Sequence, residues 1–207
     1  MIFRQLYDET SSTYTYILGD EKTRDALIID PVFEQFHRDL AALRELDLNL
    51  KLVCDTHAHA DHVTAAWLLK QRTGCQIALS AAVGAKNVDI PLQHGDKVGI
   101  NNIELEARAT PGHTDGCMTY VLADHSKAFT GDALLIRGCG RSDFQQGDPA
   151  RLYRSITEQI FSLPDDCAIY PAHDYNGRTR SSVGEEKTHN PRVGGAASEK
   201  DFVHYMD

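Results

Sequence analysis

The chain has 207 residues, 42% hydrophobic and 25% charged, an ordinary globular balance that excludes a disordered or collagen-like protein. Its 21 Lys and Arg against 30 Asp and Glu leave a net charge of −9, which argues against nucleic acid or an anionic membrane as partner. No apolar run approaches the roughly 20 residues that span a bilayer, and the length fits one domain over residues 1–207.

Taken in order, the N-terminal Met1–Glu9 stretch lacks the basic-then-apolar pattern of a signal peptide, and its acids disfavour a transit peptide. Strands are predicted at 13–18 and 26–30, joined by a polar turn at Gly19-Asp20-Glu21-Lys22. Leu40, Leu43 and Leu46 share one side of a predicted helix over 36–46. A buried strand follows at 50–54, then a helix over 63–72 stopped by Gly74, then a short strand at 76–79. Alternation of apolar and charged residues marks a half-exposed strand at 103–109. Residues 117–122 and 127–130 form a predicted hairpin around Ala123-Asp124-His125-Ser126. Asp148-Pro149 pairs an N-cap acid with a proline at the first helical position, and Leu152, Ile156 and Ile160 continue at helical spacing. The last clear strand is 167–170. Strands outnumber helices and the two are mixed, so the expected class is α/β or α+β with a two-sheet core.

Five cysteines (Cys54, Cys75, Cys117, Cys139, Cys167) are odd in number and contain no CxxC pair, a reduced, cytoplasmic pattern rather than a disulfide framework. The ten histidines are more unusual. Thr56-His57-Ala58-His59-Ala60-Asp61-His62 falls between a predicted strand and a predicted helix. In extended backbone His57 and His59 point to the same side, and Asp61 and His62 fall at the turn, so four metal-competent groups can converge. Solvated surface or an apolar core rarely concentrates such groups. His113, Asp132 and His173 each lie just past the C-terminal end of a predicted strand, where one rim of the core can gather them. His37, His94, His125, His189 and His204 lack that context and read as surface residues.

The THxHxDH motif, followed by a separated His, Asp and His, resembles the metallo-β-lactamase fold superfamily over most of the chain. That implies an αββα four-layer sandwich with a metal cleft at one sheet edge. The stretch Phe129–Gly147, with Gly138-Cys139-Gly140-Arg141, closely resembles the persulfide dioxygenases, and Tyr170–Tyr175 and Glu185–Arg192 add to the likeness. Glyoxalase II thiolesterases share the Gly-Cys-Gly pattern but usually diverge after it and carry a helical C-terminal domain.

Seven candidate ligands suffice for a two-metal hydrolytic site, so spacing alone leaves a dinuclear hydrolase open. The resemblance implies instead one Fe(II) per chain on His57, His113 and Asp132, the two-His, one-carboxylate triad that leaves positions open. His59, Asp61, His62 and His173 then orient ligands and shape the cleft. The implied reaction converts glutathione persulfide, O2 and water to sulfite and glutathione. Arg141 and Tyr175 are expected at the substrate, with Arg137 and Cys139 as further candidates. Two other readings stand beside it: a dizinc thiolesterase acting on acyl-glutathione, and a non-enzymatic metal- or persulfide-binding module. A homodimer is left open.

Overall fold

A computed structural model describes residues 1–206. Its framework is two six-stranded sheets packed face to face. The first holds β1 (Ile2–Asp8), β2 (Thr13–Gly19), β3 (Asp25–Ile29), β4 (Asn49–Cys54), β5 (Gln76–Ser80) and β6 (Ile90–Leu92), in that spatial order. Its first three strands are antiparallel and the rest parallel. The second holds β7 (Asp96–Ile100), β8 (Ile103–Ala109), β9 (Met118–Leu122), β10 (Lys127–Gly131), β11 (Ala168–Pro171) and β12 (Ser181–Ser182), again in sequence order. β7 to β10 form an antiparallel meander, and β11 joins β10 in parallel.

Period-two alternation builds the layers. Tyr14, Tyr16 and Leu18 of β2, Leu27 and Ile29 of β3, and Tyr120 and Phe129 of the second sheet meet between the sheets. The alternate residues Ile17, Ala26, Ile28 and Val53 face outward onto α1 (Phe36–Glu45) and α2 (Ala66–Thr73) through Leu40, Leu43 and Leu69. Val121, Ala128 and Ile169 face the other way, onto α3 (Pro149–Arg154), the π-helical turn Ser155–Ile160 that continues it, α4 (Val183–His189) and α5 (Glu199–Met206). This is the four-layer α/β sandwich expected. None of the described helices is long and apolar enough to cross a membrane.

Capping matches the sequence reading where local chemistry decides it. Asp148 accepts from the Arg151 amide at 2.9 Å with Pro149 at the first helical position, and Gly74 closes α2 at φ 76°. The helix expected from Val63 starts three residues later. Val63 O accepts from Phe33 N and Thr64 bridges Val32, so these residues pair with the chain leaving β3. Sequence patterning left β1, β6, β7, β12, α4 and α5 unassigned; they are short or amphipathic only in context.

Candidate metal centre

The expected strand-end rim is present. His57 follows β4, His113 follows β8, Asp132 follows β10 and His173 follows β11, all at C-terminal ends. Two adjacent metal-competent groups result, each with its ligand atoms within 4.8 Å of one another: His57, His113 and Asp132, and beside them His59, Asp61, His62 and His173. The His-rich loop therefore divides between them, with the His57 and His59 ring centroids 4.0 Å apart. His37, His94, His189 and His204 are exposed and His125 half-buried, away from both groups.

Each member of the first group is oriented from behind. Thr56 Oγ1 donates its single proton to Asp30 Oδ2 at 2.8 Å, so toward His57 Nδ1, 2.9 Å away, it can only accept. His57 thus carries its proton on Nδ1 and presents the Nε2 lone pair. Burial and then the neighbouring His59 push the His57 pKa down to about 3, which keeps the ring neutral as a metal ligand must be. His113 Nδ1 donates to the Arg141 carbonyl at 2.7 Å and likewise frees Nε2, which lies 3.6 Å from Asp132 Oδ2. His173 Nδ1 donates to Asp132 Oδ1 at 2.6 Å, leaving the other carboxylate oxygen to the group. Burial opposes ionisation of Asp132, but the charge and hydrogen bond of His173 hold its carboxyl well below the usual range.

In the second group Asp61 Oδ2 lies 2.7 Å from His62 Nδ1 and 3.0 Å from His173 Nε2. Thr13 Oγ1 sits 3.1 Å from the same His173 nitrogen. Both His173 nitrogens therefore face carboxylates, which overcome its burial and raise its pKa to about 10. His59 Nδ1 and His62 Nε2 are buried without a hydrogen-bond partner, as donor atoms facing an ion would be.

Two glycines permit the close approach of the ligand loops. A Cβ on Gly140 would stand 2.8 Å from His113 Nδ1 and 2.6 Å from the Asp132 carbonyl. Gly131 has φ 55°, and a Cβ there would press on Thr56 Oγ1 at 2.8 Å.

A cavity of about 440 Å³ opens over His113, Asp132 and His173, walled by Cys139, Arg141, Phe144, Tyr175 and Arg192. A pocket of about 360 Å³ between β8 and the β2–β3 turn is lined by Glu21, Glu104 and Asp124, remote from the rim. Of the residues expected at substrate, Tyr175 stacks on His173 with centroids 6.2 Å apart and is 68% exposed. Arg141 lines the cavity, but its fork is closed on Asp143 by contacts of 2.7 and 2.8 Å. Arg137 turns away from the cavity. Its guanidinium meets the fully buried Glu186, whose other oxygen accepts from the Arg137 amide at 2.9 Å and from Asn190 Nδ2 at 2.9 Å. Asn190 also donates to Gly138 O, so this network braces the Gly138–Gly140 loop that carries Arg141 O to His113. Cys139 is buried on the cavity wall, and that burial pushes its thiol pKa up, away from nucleophilic use.

Sequence reasoning missed Asp30, Thr13 and Arg192. Asp30, at φ 50° directly after an apolar strand and before Pro31, was the one with a readable signal. A polar residue held in a strained backbone at a strand end is typical of a functional site.

A family model described as the metallo-beta-lactamase superfamily matches residues 8–173, the class that this fold and its metal-competent rim define. The human mitochondrial persulfide dioxygenase ETHE1 is 51% identical over 207 residues, covering 100% of this chain and 80% of the relative. A crystal structure of ETHE1 from Myxococcus xanthus is 52% identical with a TM-score of 0.96, covering 100% of this chain and 90% of that one. Hydroxyacylglutathione hydrolase GloC from Haemophilus influenzae is 35% identical over 196 residues, covering 84% of this chain and 89% of the relative. The chain belongs to the persulfide dioxygenases of the metallo-β-lactamase superfamily.

Proposed function

We propose that the chain, as one domain over residues 1–207, is a mononuclear non-haem iron enzyme that converts glutathione persulfide, O2 and water to sulfite and glutathione. His57, His113 and Asp132 would hold one Fe(II). The observation that carries this reading is the pair of imidazoles and one carboxylate gathered within 4.8 Å, in a chain about half identical to persulfide dioxygenases along its whole length. The donor set fits: both imidazoles have Nδ1 committed elsewhere and Nε2 free, and His173 restricts Asp132 to one oxygen. Two imidazoles and a carboxylate suit Fe(II) with positions left open. When bound, the iron supplies the redox chemistry that brings O2 and the persulfide sulfur to reaction.

The protein's own groups do the rest. Thr56, the Arg141 carbonyl and His173 set the ligand directions before substrate arrives, so little reorganisation is left for the reaction. Tyr175, Phe144 and Cys139 wall the space above Asp132 and His113, limiting water beside the sulfur. Tyr175 offers its hydroxyl to the tripeptide. His59, Asp61, His62 and His173 support the triad rather than hold the catalytic ion.

The buried, unpartnered nitrogens of His59 and His62 favour a second reading, a dizinc thiolesterase with an ion in each group. Identity of 51% to a persulfide dioxygenase against 35% to a hydroxyacylglutathione hydrolase weighs against it. Metal analysis combined with an oxygen electrode tests the choice. About one iron per chain with O2 uptake on glutathione persulfide is expected. Two zinc ions with acyl-glutathione cleavage and no O2 uptake would overturn it, and ligand binding without turnover would favour a non-catalytic module. A homodimer in solution and a cytoplasmic location complete the proposal. Sedimentation tests the first, and cell fractionation tests the second against the mitochondrial location named for the human relative.

A further inference from the structure

The net charge of −9 makes the origin of attraction for an anionic substrate a physical question. The cavity wall contains two arginines, Arg141 and Arg192, besides His173, whose charge is matched by Asp132 and Asp61. Arg141 is bidentate on Asp143 and both side chains are 66% exposed, so its fork is saturated and screened by solvent.

Arg192 is different. It is half-buried, and its Nη1 donates to the Cys139 carbonyl at 2.9 Å, with Cys139 Sγ at 3.6 Å and Met206 Sδ at 3.8 Å. Its guanidinium lies 5.4 Å from the centroid of the Tyr205 ring on α5. None of these neighbours is a carboxylate, and among the described residues none forms an ion pair with it. A partly desolvated cation without a counter-ion is costly unless a ligand supplies the charge. Its position is also fixed. Asn190 Oδ1 accepts from the Arg192 amide at 3.0 Å, and Asn190 is tied to Gly138 and Glu186. The guanidinium is thus held by Cys139, Met206 and Tyr205 while its charge meets no carboxylate of the described residues, which leaves it able to receive a planar anion.

We propose that Arg192, braced by Cys139 and Tyr205, receives a carboxylate of the thiol-bearing substrate and sets the enzyme's preference for acidic persulfides. This rests on the persulfide dioxygenase reading given above. Arg192 acts on binding and orientation of the substrate body and performs no step on the sulfur.

The test compares glutathione persulfide with the persulfide of glutathione diethyl ester, which lacks both carboxylates, using iron-loaded protein of matched metal content and melting temperature. Arg192→Ala is expected to lower kcat/KM for the acid by about 10- to 100-fold, the usual worth of a charge-assisted contact. Wild type and variant should converge on the diester. Arg192→Lys keeps the charge without the fork and should recover only part of the loss. A merely structural Arg192 would depress both substrates equally, and that result overturns the proposal. So does the opposite pattern, in which Arg141→Ala abolishes the acid-over-ester preference and Arg192→Ala keeps it. If wild type takes up no O2 with either persulfide, the dioxygenase reading itself fails. Calorimetric binding of glutathione and its diester then decides the site independently: tighter binding of the acid, lost in Arg192→Ala, supports it, and equal binding overturns it.

Discussion

Replacing Thr56 by valine tests how the triad is oriented. Thr56 Oγ1 lies 2.8 Å from Asp30 Oδ2 and 2.9 Å from His57 Nδ1, and the three residues are 1–2% exposed. Valine keeps the shape and deletes the hydroxyl, so His57 Nδ1 loses its acceptor and the ring is no longer held with Nε2 unprotonated. Asp30 Oδ1 keeps the Thr56 amide at 2.6 Å and His59 Nε2 at 3.3 Å, but its buried Oδ2 loses the donor that Thr56 Oγ1 supplied. Folding stability should therefore fall by about 3 kcal/mol, for two lost bonds of which one leaves a buried carboxylate oxygen unpaired. Metal affinity should fall separately by about 10- to 100-fold, since the ring must now be held in its binding tautomer without help. Anaerobic chelator competition measures the affinity, and urea unfolding of the metal-free protein measures the stability. Thr56→Ser retains the hydroxyl and should bind metal nearly as wild type does. Valine protein that is less stable yet binds metal as tightly as wild type would refute the orienting role.

Other outcomes follow from the same geometry. Asp132→Ala should lose iron and O2 uptake together while His62→Ala keeps most of its iron; equal stripping by both, read by metal analysis, contradicts the triad. Gly140→Ala should cost metal and activity with the fold retained, because the new Cβ would stand 2.8 Å from His113 Nδ1; a variant with wild-type iron content would show that the loop can yield. Asp39 is buried on α1 with Oδ2 unpaired, and its pKa is raised by burial, against the pull of Arg38, to about 6. Since the folded state holds this proton more tightly than the unfolded chain, stability is lost as pH rises from about 4 through 6, by about 3 kcal/mol in total. Asp39→Asn should remove that slope in denaturation curves measured at pH 4 and pH 7; an unchanged pH dependence would place Asp39 outside it.

Much of this site was legible in the linear chain because its signals are local. The THxHxDH run, the histidine or aspartate directly after three further strands, and the Asp148-Pro149 cap each express their chemistry within a few residues. Strand alternation likewise announced the faces of β8, since side-chain direction in a strand depends only on parity. The strand-end location of all four ligand segments was readable for that reason.

What the fold decided involves partners distant in sequence. Nothing near His57 says that Asp30, at the end of the neighbouring strand β3, takes the Thr56 proton and thereby chooses the histidine tautomer. The division of seven candidate ligands into two groups depends on which loops the second sheet brings beside His57. The surroundings of the arginines follow the same rule. Arg141 was expected at the substrate with Arg137 as a further candidate, and the fold pairs Arg137 with Glu186 and Arg141 with Asp143. Arg192 lies far along the chain and stands on the cavity wall with no carboxylate paired to it among the described residues, because α4 and α5 carry it there and charge compensation is a property of space rather than of sequence.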